Sequence, residues 1–188
     1  MRVLRIALDL DGVLADSIYV WLRIWNESRK DSLTLEDVRC WDFWKGLGIT
    51  LSEFHRIFYR AWKNWRSIPP TEPNLTDKVA LLEELGRVDI VTSRPRNTEE
   101  YVLKWLNMHG LGNRNVVFVK VGCKKSELGY EFYIDDSPLN AEEIASAGKY
   151  VALYDRPWNR LVRDNERIKR IMNLNEAYSF IKECMSRC

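Results

Sequence analysis

The sequence predicts a doubly wound α/β fold: a parallel sheet covered on both faces, with a small helical cap inserted after the first strand. Three observations carry that expectation. From residue 76 onward, short aliphatic runs alternate with stretches of helical periodicity, the pattern of βα units. Residues 17–75 interrupt the alternation, reading as helices and loops closed by Pro69, Pro70 and Pro73. Acidic and hydroxyl residues gather at the ends of separate predicted strands, where sheets of this kind bind their ligands.

Val3 to Leu8 is an apolar run that suits a buried strand, and it stops at Asp9-Leu10-Asp11-Gly12. Asp16 is placed to N-cap a helix from Ser17 to Ser28, with Ile18, Trp21, Leu22 and Trp25 on one face. Leu51 to Trp65 is the clearest helix of the insert. Beyond the prolines, helices are expected at Thr76–Leu85, Thr98–His109, Ala141–Ala147 and Glu176–Met185, with Gly110 as a stop signal. Strands are expected at Arg87–Val91, Val116–Val121, Phe132–Ile134 and Tyr150–Tyr154. Residues 1–16 and 76–188 would form the α/β core, and 17–75 the helical cap.

Composition sets the outer bounds. A chain of 188 residues can bury a full core without staples. A net charge of +2 gives no argument for nucleic acid or membrane, and no apolar run approaches the roughly 18 residues of a membrane span. The cysteines at 40, 123, 184 and 188 form no C-x-x-C pair and lie far in sequence from His55 and His109, so a zinc site is not expected. Asp9 and Asp11 break the N-terminal apolar stretch before it reaches signal-peptide length, which makes the cytosol the expected location. Arg60, Lys63 and Arg66 interleave with Trp62 and Trp65, but on a helix that pattern reads as an amphipathic face with solvated charges, not a nucleic-acid surface.

The strand ends form one chemical set. The first ends in Asp9-Leu10-Asp11-Gly12, the second in Thr92-Ser93-Arg94, a later one in Asp135-Asp136, and Lys124 and Lys125 lie just before that last strand. Carboxylates converging from several strand ends repel one another and call for a bound cation, and hard oxygen donors select Mg²⁺ or a similar ion. A lysine beside a small hydroxyl donor suits a phosphoryl group. Alternation along an extended strand end would put Asp9 and Asp11 on one side. One could then attack phosphorus through an aspartyl-phosphate while the other moves the proton.

These residues resemble the four motifs of the haloacid dehalogenase-like superfamily. Asp9-Leu10-Asp11-Gly12-Val13 is similar to motif one, Ile90-Val91-Thr92-Ser93 to motif two, and Lys125 and Ile134-Asp135-Asp136-Ser137-Pro138 to motifs three and four. The resemblance implies Asp9 as nucleophile and metal ligand. It implies Asp11 as acid/base, with its backbone carbonyl on Mg²⁺. Thr92, with the Ser93 amide, would bond the phosphoryl oxygens. Asp136 would hold the metal directly, and Asp135 from the second shell or through water. Arg94 is a candidate substrate contact.

A narrower resemblance is to the 5′(3′)-deoxyribonucleotidases. It rests on residues 9–16 (DLDGVLAD), the helical insert, Phe43-Trp44, Asp135-Asp136-Ser137-Pro138, and the placing of Lys125 ten residues before Asp135. That last spacing favours Lys125 over Lys124 as the motif-three lysine. The resemblance implies a Mg²⁺-dependent phosphomonoesterase for nucleoside monophosphates, with Phe43 and Trp44 facing the base. Where animal members carry an aromatic after motif one, this chain has Ser17. The rival expectations are a phosphatase for a sugar phosphate, phosphoglycolate or a nucleic-acid 3′-phosphate, and a binding module that keeps the fold without turnover.

Overall fold

The computed structural model describes residues 3–120 and 122–187. Six strands form one parallel sheet: β1 (Arg5–Leu8), β2 (Arg87–Thr92), β3 (Val116–Phe118), β4 (Phe132–Asp135), β5 (Tyr150–Tyr154) and β6 (Ile168–Ile171), in the order β3-β2-β1-β4-β5-β6. Among the described residues six α-helices accompany them: α1 (Ser17–Arg29), α2 (Leu51–Lys63), α3 (Leu75–Glu83), α4 (Glu99–Met108), α5 (Pro138–Ser146) and α6 (Leu174–Ser186). The doubly wound α/β architecture expected from the sequence is the one observed.

Successive strand residues face opposite sides of the sheet, and each side builds its own core. Ile6, Leu8, Val88, Ile90, Phe132, Ile134, Ala152 and Tyr154 join α3, α4, α6 and the inserted helices in one cluster. Ala7, Val91, Tyr133, Val151 and Leu153 join α5 in the other. Full burial of Trp21, Trp62 and Trp105 removes large apolar areas from water, each worth at least about 1.5–3 kcal/mol relative to exposure.

The observed elements depart from expectation at their ends and in three respects of substance. β6 was not foreseen. α2 ends at Lys63, and Trp65–Ser67 forms a separate 3₁₀ turn. Asp16 stands at the N-cap position of α1 but makes no side-chain cap; its carboxylate lies 3.8 Å from Arg156. The expected strand end at Val121 and the thiol of Cys188 lie outside the described residues.

Topology positions the site. After β1 the chain builds β2 and β3 on one side, then crosses to place β4 on the other, so the switch in winding falls between β1 and β4. Leu8 pairs with both Ile90 and Ile134, which sets the carboxyl ends of β1, β2 and β4 level. The inserted helices leave and return through a narrow two-stranded stem: Asp16 N–H donates to Pro69 O at 2.9 Å, and Thr71 N–H to Leu14 O at 2.9 Å.

Candidate active site

Asp9 is the first residue past β1, and its N–H donates to Ile134 O at 2.9 Å, locking the loop to β4. Its carboxylate lies with those of Asp135 and Asp136 in a group whose donor oxygens fall within 4.8 Å of one another, a set able to hold a metal ion. Lys125, buried, donates from Nζ to Asp9 Oδ1 at 2.9 Å and to Asp135 Oδ2 at 2.7 Å. Its neighbour Lys124 is exposed.

The two motif-four aspartates differ in what their oxygens are doing. Asp135 accepts from Lys125, from the Ser137 N–H at 2.9 Å and from Asn140 Nδ2 at 3.1 Å, so both its oxygens are engaged. Asp136 accepts from Trp158 Nε1 at 3.1 Å through Oδ2 only. Its backbone carbonyl accepts from Asn159 Nδ2 at 2.8 Å. Gly12, at φ +81°, lies so close that a β-carbon there would collide with the Asp136 carboxylate.

Electrostatics match the crowding. Burial pushes the Asp9 carboxyl up to about 7, with Lys125 pulling it down and Asp135 adding to the rise. Burial, then the Asp9 charge, raises Asp136 well above the carboxylate range. Burial works against the charge on Lys125, but Asp135 and Asp9 outweigh it and hold its ammonium above its ordinary value. Carboxylates raised in this way are short of positive charge, and a divalent cation among them supplies it. The all-oxygen donor set fits a hard cation.

Asp11 does not join this group. Past Leu8 the chain turns, with Leu14 and Ala15 N–H both bonding back to Leu10 O, and the Asp11 carboxylate stays near enough to Asp9 for its charge to add to the rise of the Asp9 carboxyl. Asp11 Oδ1 instead accepts from Ser17 Oγ at 2.5 Å, Trp62 Nε1 at 2.9 Å and Arg94 Nη1 at 3.2 Å. Ser17 is thus a direct partner of Asp11.

Thr92, buried at the end of β2, accepts at Oγ1 from the Arg94 N–H at 3.2 Å; Ser93 is exposed. The Arg94 side chain is nine-tenths covered, with its guanidinium 5.3 Å from the Phe58 ring and 5.2 Å from the Trp62 ring. Its buried Nε has no partner. Phe43 and Trp44 are half-buried, and their ring contacts are with the insert's own aromatics: Phe43 with Trp21 at 5.2 Å and Phe54 at 5.6 Å, Trp44 with Phe54 at 6.1 Å. The inserted aromatics that reach the strand-end residues are Phe58 and Trp62, both on α2.

Sequence reasoning missed Ser17, Phe58, Trp62, Asn140 and the segment Arg156–Asn159. The last had a usable signal, because it follows the end of β5 as the other site residues follow their strands. Arg156 Nε donates to Gly12 O at 2.7 Å, so this segment braces both the first loop and Asp136.

A parallel sheet with a phosphoryl-type lysine and paired aspartates at its switch point defines a phosphatase of the haloacid dehalogenase-like class. Comparison with known proteins agrees. The family model described as 5′ nucleotidase, deoxy (pyrimidine), cytosolic type C protein matches residues 2–186, and the chain belongs to that family. It is therefore a phosphoric monoester hydrolase. A nucleotidase of Clostridium acetobutylicum is 24% identical over 184 residues, covering 96% of this chain and 95% of that protein. The 5′(3′)-deoxyribonucleotidase of Bacillus subtilis is 27% identical over 173 residues, covering 91% and 94%. Among solved structures, a haloacid dehalogenase-like hydrolase from Streptococcus pneumoniae superposes with a TM-score of 0.68 at 15% identity, covering 95% and 98%. A hydrolase of the same fold from Bacillus subtilis, solved with magnesium, gives 0.59 at 14% identity, covering 96% and 99%.

Proposed function

We propose that this chain is a Mg²⁺-dependent nucleotidase that removes phosphate from deoxynucleoside or nucleoside monophosphates through a phosphoaspartate on Asp9. The observation that carries this reading is the placement of Asp9: held by Lys125 at 2.9 Å and grouped with Asp135 and Asp136 at the winding switch. The named nucleotidase relatives support the substrate class, and the magnesium in one structural neighbour supports the ion.

Asp9 attacks phosphorus through a carboxylate oxygen, and the phosphorus–oxygen bond to the nucleoside breaks. Asp11 gives its proton to the departing alkoxide, then takes one from the water that cleaves the phosphoaspartate. Lys125 holds Asp9 in line and offsets the added charge. Thr92 Oγ1 and the Ser93 amide bond the non-reacting phosphoryl oxygens, and the unpartnered Nε of Arg94 is a further donor beside them. Asp9, Asp136 and the backbone carbonyl of Asp11 would hold Mg²⁺, with Asp135 orienting Lys125 and acting on the ion from the second shell. Bound there, Mg²⁺ would neutralise phosphoryl charge. Residues 17–75 act as a cap hinged at the stem, closing over the substrate and excluding water. Phe43 and Trp44 shape the base side of that cap, and Phe58 and Trp62 carry its contact to Asp11 and Arg94. Exposed free thiols at Cys40 and Cys123 fit a reducing cytosol.

The test is phosphate release from 5′- and 3′-monophosphates of the deoxy- and ribonucleosides beside simple sugar phosphates and phosphoglycolate, with Mg²⁺ present. A nucleotide preference is expected. Equal rates on nucleotides and sugar phosphates would remove the nucleotidase reading.

A further inference from the structure

The loop after β5 holds Asp136 in a way its sequence position does not announce. Asn159 is the node of that loop and is fully buried. Its Nδ2 donates to the carbonyls of Asp136 and Tyr154, both at 2.8 Å. Its Oδ1 accepts from the Arg156 N–H at 3.2 Å and from Arg170 Nη1 at 2.7 Å. Arg170 also donates to the Asn159 and Val162 carbonyls, at 2.9 and 2.8 Å. This scaffold fixes Trp158, a residue 8% exposed, with its indole N–H on Oδ2 of Asp136.

The two oxygens of Asp136 are therefore unequal. Oδ2 is enclosed between the Trp158 N–H and the bare α-carbon of Gly12. Oδ1 accepts no hydrogen bond among the described residues. The Trp158 N–H takes one of the two lone pairs of Oδ2, and the Gly12 α-carbon packed against the same oxygen crowds the approach to the other. Mg²⁺ demands near-octahedral geometry and takes single oxygens from its carboxylates, whereas Ca²⁺ accepts six to eight oxygens and often chelates a carboxylate through both.

We propose that Trp158 is a positioning residue that sets the metal preference of the site: by committing Oδ2 of Asp136, it leaves one carboxylate oxygen for the ion and disfavours the two-oxygen chelate that a larger cation uses. This rests on the reading of Asp136 as a metal ligand. Its consequence is separable from that reading, because it concerns the ratio of two affinities.

The experiment is calorimetric titration of MgCl₂ and of CaCl₂ into the folded full chain without substrate, for the wild type and Trp158→Phe. A second variant carries β-(3-benzothienyl)alanine at position 158, which replaces the N–H by sulfur and keeps the ring volume, so the comparison survives if phenylalanine disturbs folding. Outer-shell changes typically cost about 10–100-fold in metal affinity. Here the Mg²⁺-to-Ca²⁺ affinity ratio is expected to fall about ten-fold, at the low end of that range. Affinities for both ions that are unchanged, or weakened equally, would overturn the assignment of selectivity to Trp158 while leaving the metal site standing. A folded wild type that binds neither ion would overturn the metal reading and this inference together.

Discussion

The indole nitrogen of Trp62 lies 2.9 Å from Oδ1 of Asp11, so a residue of the inserted helix α2 is bonded directly to the aspartate of the first loop. The proposed acid/base is thus complete only with the insert in place. A hydrogen bond to a charged group is worth about 1.5–3 kcal/mol. Trp62→Phe keeps most of the ring and removes the donor, and kcat should fall about 10–100-fold. Steady-state kinetics on the preferred nucleotide checks this; an unchanged kcat would detach the insert from the chemistry.

Among the described residues Lys125 is the one cation bonded to both Asp9 and Asp135. Lys125→Met would leave two buried carboxylates uncompensated, and breaking a buried pair from one side costs about 3–5 kcal/mol. Urea denaturation without divalent ion should register that loss, and added Mg²⁺ should recover part of it. Stability equal to the wild type would show that the lysine does not neutralise the pair.

Gly12 faces the Asp136 carboxylate at φ +81°, a conformation costly for any residue with a β-carbon. Gly12→Ala should lose both metal affinity and turnover, because the methyl group displaces the Asp136 carboxylate itself. Titration calorimetry with Mg²⁺ reads the first effect independently of the second.

The raised Asp9 carboxyl gives a pH dependence with a definite sign. Its folded value of about 7 exceeds the ordinary 3.8, so between those values the folded chain holds a proton that the unfolded chain has released. Without metal, this group's contribution to stability is greatest below that window and is lost as pH rises through it. A divalent ion competes with the proton and reverses the loss. The rise in Tm on adding Mg²⁺ should therefore be larger at about pH 8 than at about pH 5.5, as measured by thermal unfolding. A larger shift at the lower pH would contradict this account of the cluster.

What the sequence made legible followed from local signals. The aliphatic runs located β1, β2, β4 and β5, and the polar residues after them located Asp9, Thr92, Asp135 and Asp136. β6 was missed because Ile-Lys-Arg-Ile alternates at an edge, with Lys169 exposed and Arg170 half-buried, and offers no apolar run. The expected cap by Asp16 failed for a non-local reason: Arg156, distant in sequence, reaches its carboxylate. Trp62 reads from the sequence only as part of an amphipathic face, and Trp158 gives no local signal at all, since only tertiary packing aims an indole N–H at a particular carboxylate. The partners of Asp11 were not legible, because Ser17, Trp62 and Arg94 reach its carboxylate from three separate elements.

All of these expectations presuppose that Asp9 forms the bond to phosphorus. The most direct measurement is phosphate release by Asp9→Asn in the presence of Mg²⁺, on the nucleotide the wild type hydrolyses fastest. The account predicts no turnover above background, with folding retained and a metal-free Tm at least as high as that of the wild type, because one of the crowded charges is gone. Turnover at the wild-type rate by that variant would contradict it.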